Sequence, residues 1–484
     1  MDQNSCTSNK RHERNSNSIR ICDLPDPILQ LILSSLPIKD AIGTSVLSKR
    51  WEHLWLGISK ISLKEGTYEK RRQFIVFVPK LLEVFDCTNL EKFSLTFRVE
   101  EHASEVNEWL SGFINPKIQE LILCLDGMNE SEKPLTFPDH LFTCSTLTTF
   151  GLRLRNVFKL PSSIYFKSLK TLCLVDVTLP DRSSTEQLIA GCPALEQLTL
   201  MDINWVNVET LCISSDVLQK LKIIEPVEYD VLSREDEDED EDDDMGGQDE
   251  QNCCNIVISG TNLKVFSYTG AVTSEISFHS PASVMDASIH VQHHYSECMD
   301  NIDWEPAAGS YVVDLLKDLR DVEKLSVSFV SLMALSRASW ERLPLFSNLV
   351  ELHVVSTIIS LTCEGLIAII QKSPCLQVVY FDKGVYMLKY RGYCGYIMDP
   401  VPVLSRTQLR RIVIKHYSWD IYEDEFDAVK TLLQALPVLE TLHISCSGDG
   451  NSPTGSERLE NLYQKIKSLP RRSIDCEIVL KYMK

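Results

Sequence analysis

Sixteen cysteines and eleven histidines hold most of the chemical potential of this 484-residue chain. Thiolates bind zinc or attack carbonyls, and imidazoles bind metal or move protons. Spacing decides which of these uses is open. No Cys-x-x-Cys pair occurs anywhere in the sequence, so the repeated ligand pairs of a multi-zinc module are missing. The nearest approach to a ligand set is His290, His293, His294 and Cys298, which has neither a second ligand pair nor a clear turn. There is no Gly-x-x-x-x-Gly-Lys-Ser/Thr phosphate loop, no His-Glu-x-x-His and no Gly-x-Ser-x-Gly turn. No catalytic residue, metal or cofactor is therefore expected. Cys124, Cys173 and Cys212 lie within apolar strand-like runs and are expected to be small core residues in a reducing compartment.

With little chemistry to position, the informative feature is an apolar surface. Asp23 to Trp55 reads DLPDPILQLILSSLPIKDAIGTSVLSKRWEHLW. Pro25 and Pro27 suit a first helical turn, Asp23 is placed as its N-cap, and Leu36-Pro37 ends it. At about 100° per residue, Leu24, Ile28, Leu29, Leu31, Ile32, Leu33 and Leu36 sweep an arc of roughly 200°. A surface helix needs about half of that. The rest must meet another part of the chain or another protein.

These residues resemble the F-box, a three-helix segment that docks ubiquitin-ligase substrate receptors onto a Skp-type adaptor. Leu24-Pro25 matches the family's opening, Leu36-Pro37-Ile38-Lys39-Asp40-Ala41 its middle turn, and Ser45-Val46-Leu47-Ser48-Lys49-Arg50-Trp51 through Leu54-Trp55 its closing helix. Pro27 departs from the family where an acidic residue is frequent, and Gly43 where a basic one is. Gly43 costs about 1 kcal/mol of helix propensity against alanine. The resemblance implies that Leu24, Pro25, Ile28, Leu29, Ile32, Leu36, Val46, Leu47 and Trp51 carry adaptor binding. Some of these nine must instead hold the helices together, and sequence alone does not divide them.

The rest of the chain is dominated by a repeat: an apolar residue, two variable ones, then apolar-variable-apolar. It starts at Leu90, Ile118, Leu147, Leu169, Leu195, Leu218, Leu263, Val322, Leu349, Leu376, Leu409 and Leu439. Most intervals are 22 to 33 residues, with two longer ones of 45 and 59. The first contains ten consecutive carboxylates, Glu235 to Asp244, which repel one another and read as a disordered insertion over 233–252. The second is expected to hide a degenerate copy from Met285 to Val291. Helical stretches precede Leu195, Val322, Leu376 and Leu439. A strand and a helix at a period of about 26 residues match the leucine-rich repeat, a curved parallel sheet with outer helices. A doubly wound α/β fold is the structural alternative.

The segment from Gln408, with LPRRS at Leu469 and CEIV at Cys476, resembles the FBD region that follows the repeats in plant F-box proteins. The expected fold class is thus α/β: a tail over 1–18, an F-box over 19–63, a leucine-rich-repeat solenoid over 64–400 and an FBD-like cap over 401–484. The resemblance implies a non-catalytic receptor subunit of an SCF-type ubiquitin ligase. Its partners would be the adaptor, through it a cullin and a RING subunit, and a protein target on the repeats. A scaffold or ligand sensor that binds the adaptor without ubiquitinating a target is the second reading, and an α/β enzyme the third. Net charge of −20 argues against nucleic acid. No apolar run is long enough for a membrane, and cytoplasm or nucleus is the expected location. Thr199, Lys222, His353 and His443, lying between apolar strand residues, are expected on the binding face.

Overall fold

The computed structural model describes residues 21–66, 68–127, 135–225, 254–271, 275–279, 283–292, 306–338, 340–355, 359–387, 398–417, 423–446 and 453–482. The tail over 1–18, the insertion over 233–252, and His293, His294 and Cys298 lie outside them. Every repeat start in the sequence becomes a strand that begins two residues later. Leu90 precedes Lys92–Arg98, Leu195 precedes Gln197–Met201, and Leu439 precedes Thr441–Cys446. The leading apolar residue is buried at each turn, and so are the second and fourth strand residues, such as Leu121 and Leu123 or Leu172 and Leu174. The degenerate copy is real: Asp286–Val291 pairs with Val265–Gly270 on one side and Lys324–Ser328 on the other.

All these strands join one parallel sheet of sixteen strands that runs from Lys60–Lys64 to Glu477–Tyr482. Along its main path the strands follow chain order. A doubly wound sheet reverses its order part-way, so that alternative is excluded. Helices expected before four strands are present as Arg182–Ala190, Pro306–Asp318, Glu364–Gln371 and Glu423–Ala435. Asp181 starts the first of these, its Oδ1 accepting the Ser184 N–H at 2.8 Å.

Three features escaped the sequence pattern. Strand Lys60–Lys64 opens the sheet within the segment assigned to the helical unit. Helices Tyr68–Val84, Ala103–Phe113, Phe329–Arg337 and Pro453–Lys467 were not singled out. Where the acidic insertion interrupts the repeats, Thr210–Ser214, Asn255–Ser259 and Ile276–Phe278 form a separate three-stranded parallel sheet. The cysteine expectation is corrected. Cys124, Cys173 and Cys212 are only half-buried, because strand alternation turns Leu123, Leu172 and Leu211 inward and their neighbours outward. Among the described residues the buried thiols are Cys144, Cys192, Cys254, Cys363, Cys446 and Cys476.

The first turns of the repeats are tied to one another by a buried cation. Arg71, 7 % exposed at its side chain, pairs with Glu65 and with Glu100 at 3.1 Å. Its guanidinium lies 4.7 Å from the centre of the Phe97 ring, which meets Trp109 edge-on at 5.1 Å. Glu65 also accepts the Arg98 N–H at 2.7 Å. Removing one partner strands the other charge in the interior. Arg71→Ala is expected to lower unfolding free energy by about 3–5 kcal/mol in denaturant melts. Lys170→Ala, which loses an exposed pair with Glu196, should cost no more than about 1 kcal/mol.

Candidate functional site

The N-terminal unit shows how its apolar surplus is divided. Helix Asp26–Leu33 begins after Pro25, with Pro27 in its first turn. Asp23 is not its N-cap: it belongs to a 3-10 turn over Ile21–Asp23, and no side chain caps the helix. Proline supplies no N–H at the position it fills, so one fewer donor needs satisfying there. The helix ends at Ser34, whose N–H bonds the Gln30 carbonyl at 2.9 Å and whose hydroxyl bonds the Leu31 carbonyl at 2.8 Å. It therefore stops three residues before the Pro37 signal. A second helix, Ile38–Gly43, follows. The closing segment forms 3-10 turns at Thr44–Val46 and Leu54–Gly57 rather than one continuous helix. Its i→i+3 bonds, such as Trp51 N–H to the Ser48 carbonyl at 2.9 Å, are the tighter pattern.

Leu29, Leu33, Ile38, Ala41, Trp51, Leu54 and Trp55 are buried together and join the repeat core, with Trp55 stacked on Phe85 at 6.3 Å. Arg50 clamps the two ends of the unit: its guanidinium reaches Asp26 Oδ1 at 2.5 Å and the Leu24 carbonyl at 2.6 Å. Of the nine residues implied by the resemblance, Leu29 and Trp51 lie inside and Leu24 is half-buried against the core. Pro25, Ile28, Ile32, Leu36, Val46 and Leu47 are exposed, Val46 at 89 % and Leu47 at 64 %. Leu31, outside that set, is 66 % exposed. It was legible all along, since Ile28, Leu31 and Ile32 stand at i, i+3 and i+4 and share one helix face. Each such side chain is worth roughly 1.5–3 kcal/mol when fully buried, and this chain leaves all of them in water.

The second candidate surface is the face of the sheet opposite the buried leucines. Thr199, Lys222, Ser267, Ser288, Ser326, His353, Tyr380, Val413 and His443 are successive register partners, so they form one row across the sheet. The four residues picked from sequence belong to this single row. His353 stacks on Tyr380 at 4.1 Å. His290, two residues beyond Ser288 on the same strand face, bonds Ser326 Oγ at 2.9 Å. Burial, with Lys222 as a lesser cause, holds the His290 imidazole below its usual range. Burial does the same for His443, helped by Arg411 and Lys481. Among the described residues no group of three metal-ligating side chains is assembled, and no helix is long and apolar enough to cross a membrane. Burial pushes the thiols of Cys87 and Cys446 up to about 11 and that of Cys192 up to about 12, so at neutral pH these three are protonated.

Comparison with known sequences bears on both surfaces. The F-box domain profile matches residues 21–61, the segment with the exposed apolar side chains. A profile described as FBD-associated F-box protein At5g56370, LRR repeats, matches residues 106–293. The chain is 35 % identical over 221 residues to F-box/LRR-repeat protein At3g26922 of Arabidopsis thaliana, covering 45 % of this chain and 71 % of that one. This chain belongs to the F-box/LRR-repeat family. Similarity to putative F-box/FBD/LRR-repeat protein At4g13965 of the same plant is 25 % identity over 472 residues, 96 % of this chain and 97 % of that one. With F-box/LRR-repeat protein At3g59200, also of Arabidopsis thaliana, identity is 25 % over 458 residues, 87 % of this chain and 81 % of that one. The alignment with At4g13965, whose name includes FBD, extends into the C-terminal segment.

Two measurements probe these surfaces. Gly43 is the last residue of its F-box helix, and a Cβ built there meets nothing within 4 Å. Gly43→Ala should raise stability by up to about 1 kcal/mol in thermal melts, whereas Trp51→Ala should lower it by about 3–5 kcal/mol. The depressed His290 also has a signed consequence. Below its ordinary value of 6.5 the unfolded chain binds a proton that the folded chain refuses, so stability falls as pH drops from there. Melts of His290→Gln between pH 7.5 and 5 should show a shallower decline than the parent.

Proposed function

We propose that this protein is the target-recognition subunit of an SCF-type ubiquitin ligase. Its F-box, over 19–63, binds a Skp-type adaptor, and the adaptor bridges to a cullin and a RING subunit. The repeats over 64–400, capped by the FBD-like segment over 401–484, hold a protein target in the cytoplasm, the nucleus or both. The observation that carries this reading is the group of exposed apolar side chains on the F-box: Ile28, Leu31, Ile32, Leu36, Val46 and Leu47. They are the available part of the adaptor contact. Leu29 and Trp51 act behind them by keeping the helices in place.

The chain contributes position, not bond chemistry. Holding a target lysine beside a charged conjugating enzyme turns an encounter between molecules into a local event. Direct transfer needs a cysteine in an activating environment, and the raised thiols of Cys87, Cys192 and Cys446 are the opposite of activated. RING-type activation needs zinc ligand pairs, which the sequence lacks.

Val46→Asp with Leu47→Asp is the direct test. Both side chains are exposed, so melting should move little, while adaptor pull-down should fall by at least thirtyfold, the scale of losing one desolvated anchor. Undiminished pull-down from a folded double variant overturns the reading. In reconstitution with activating enzyme, conjugating enzyme and ubiquitin, modification should require adaptor, cullin and RING subunit together. A ubiquitin thioester on the bare chain would place it among the enzymes instead.

A further inference from the structure

Lys60–Lys64 is the terminal strand of the sheet, with a partner on one side only. Lys92 donates to the Ser59 carbonyl at 3.0 Å and Glu65 donates to the Thr96 carbonyl at 2.9 Å. Since backbone groups alternate sides along a strand, the N–H and C=O of Lys60, Ser62 and Lys64 point away from the sheet. Among the described residues no backbone hydrogen bond closes that edge. A cleft of about 480 Å³ lies there, and both Ser62 and Leu63 line it. Adjacent residues point to opposite faces of a strand, so only an opening at the edge itself touches both. Its far wall is Ser34 to Lys39 of the F-box, and Phe74 and Phe77 line it from helix Tyr68–Val84.

Charge makes this edge unlike the rest of the protein. Lys39, Lys60, Lys64 and Lys70 line the cleft in a chain whose net charge is −20. Lys39 sits over the Phe77 ring at 5.4 Å. None of the four forms an ion pair among the described residues. At several other turns a cation meets a carboxylate on the next: Lys92 with Glu120 at 2.7 Å, Lys170 with Glu196 at 2.8 Å, Lys324 with Glu351 at 3.2 Å. Lys60 has Lys92 as its register partner, so its acidic neighbour would have to come from the vacant side.

We propose that this edge takes an extended acidic peptide of a protein partner, added to the sheet as one more strand. Backbone groups of Lys60, Ser62 and Lys64 would supply its main-chain hydrogen bonds. Alternation then dictates the peptide's pattern. Residues beside Lys60, Ser62 and Lys64 are acidic, and those beside Ile61 and Leu63 are apolar and rest on Phe74, Phe77 and Leu36. Apolar walls set this cleft apart from a site for a bare polyphosphate, which would use only cations and hydroxyls. Leu36 is shared with the proposed adaptor contact, whereas the strand edge and the four lysines are not, so the charge and proline variants test this proposal without touching that contact.

The probe is a fluorescein-labelled peptide, Glu-Leu-Glu-Val-Glu-Leu-Glu, titrated by anisotropy against the full chain. Saturable binding is expected, weakened at least tenfold by Lys60→Glu with Lys64→Glu and unchanged by Lys465→Glu, an exposed charge in the last turn of helix Pro453–Lys467. Should the charge variant fail to fold, Ser62→Pro serves. Proline is tolerated on a free edge, leaves every lysine in place and deletes the central outward N–H, so it should also weaken binding at least tenfold. N-methylation of alternate peptide amides should do the same. Absence of saturable binding would leave the lysines as guards against edge pairing and overturn the proposal. Equal binding by the N-methylated peptide, or full displacement by inorganic tripolyphosphate, would also overturn it in favour of a simple anion site.

Discussion

One hydrogen-bonding arrangement repeats along the whole solenoid, and the rest of the structure depends on it. The residue just before each strand donates its N–H to the carbonyl of the equivalent residue one turn earlier. The chain of donors runs through Glu91, Gln119, Thr148, Lys170, Glu196, Gln219, Lys264, Met285, Glu323, Val350, Gln377, Arg410 and Glu440, at 2.7–2.9 Å, and Glu477, the first residue of the last strand, donates to the Glu440 carbonyl at 2.8 Å. The first residue of each strand shares the same acceptor, as Lys220 does on Glu196. A turn so held cannot slip by one residue. Such a slip would put every buried leucine on the open face and every polar neighbour in the core. The row from Thr199 to His443, and the vacant edge beside Lys60, are both consequences of that locked register.

A stack of parallel strands has two ends that no further turn covers, and this protein treats them differently. At the C-terminal end the last strand, Glu477–Tyr482, follows helix Pro453–Lys467 and pairs with Thr441–Cys446. At the N-terminal end the F-box abuts the first strand, with Lys39 over Phe77 crossing the junction, and the Arg71 pairs hold the first turns behind it. The F-box thus borrows the repeat core for its inward face, through Trp55 on Phe85. Its outward face remains apolar and exposed. The same segment thus packs on the first turns of the solenoid with one side and exposes apolar side chains on the other, and the division runs between Leu29 inside and Leu31 outside.

The repeat was plain in the chain because every turn obeys the same packing rule. An apolar residue must close the bend, and two more must point inward from the strand, so the pattern recurs whatever occupies the variable positions. The helical stretches before Leu195, Val322, Leu376 and Leu439 were visible too, several of them ended by a glycine or a proline. Strand Lys60–Lys64 follows Gly57 closely, and its short alternation KISLK falls almost wholly inside the segment read as the helical unit. Helix Tyr68–Val84 carries Pro79 in its interior, which argues against a helix in any local reading.

Sequence by itself determined the class of fold, the strand starts and the N-terminal unit, since all of these are written in local spacing. Only the tertiary structure decided which apolar residues of the F-box remain in water. Ile28, Leu29 and Ile32 look alike in the chain. Their fates differ because helix Asp26–Leu33 turns one stripe toward Trp51, Trp55 and the repeat core, and nothing in the local sequence says where that core lies. It also decided that Thr199, Lys222, His353 and His443, spread over more than two hundred residues, share one row. That row exists because each turn contributes one residue at the same register, a relation set by hydrogen bonds between strands far apart in the chain.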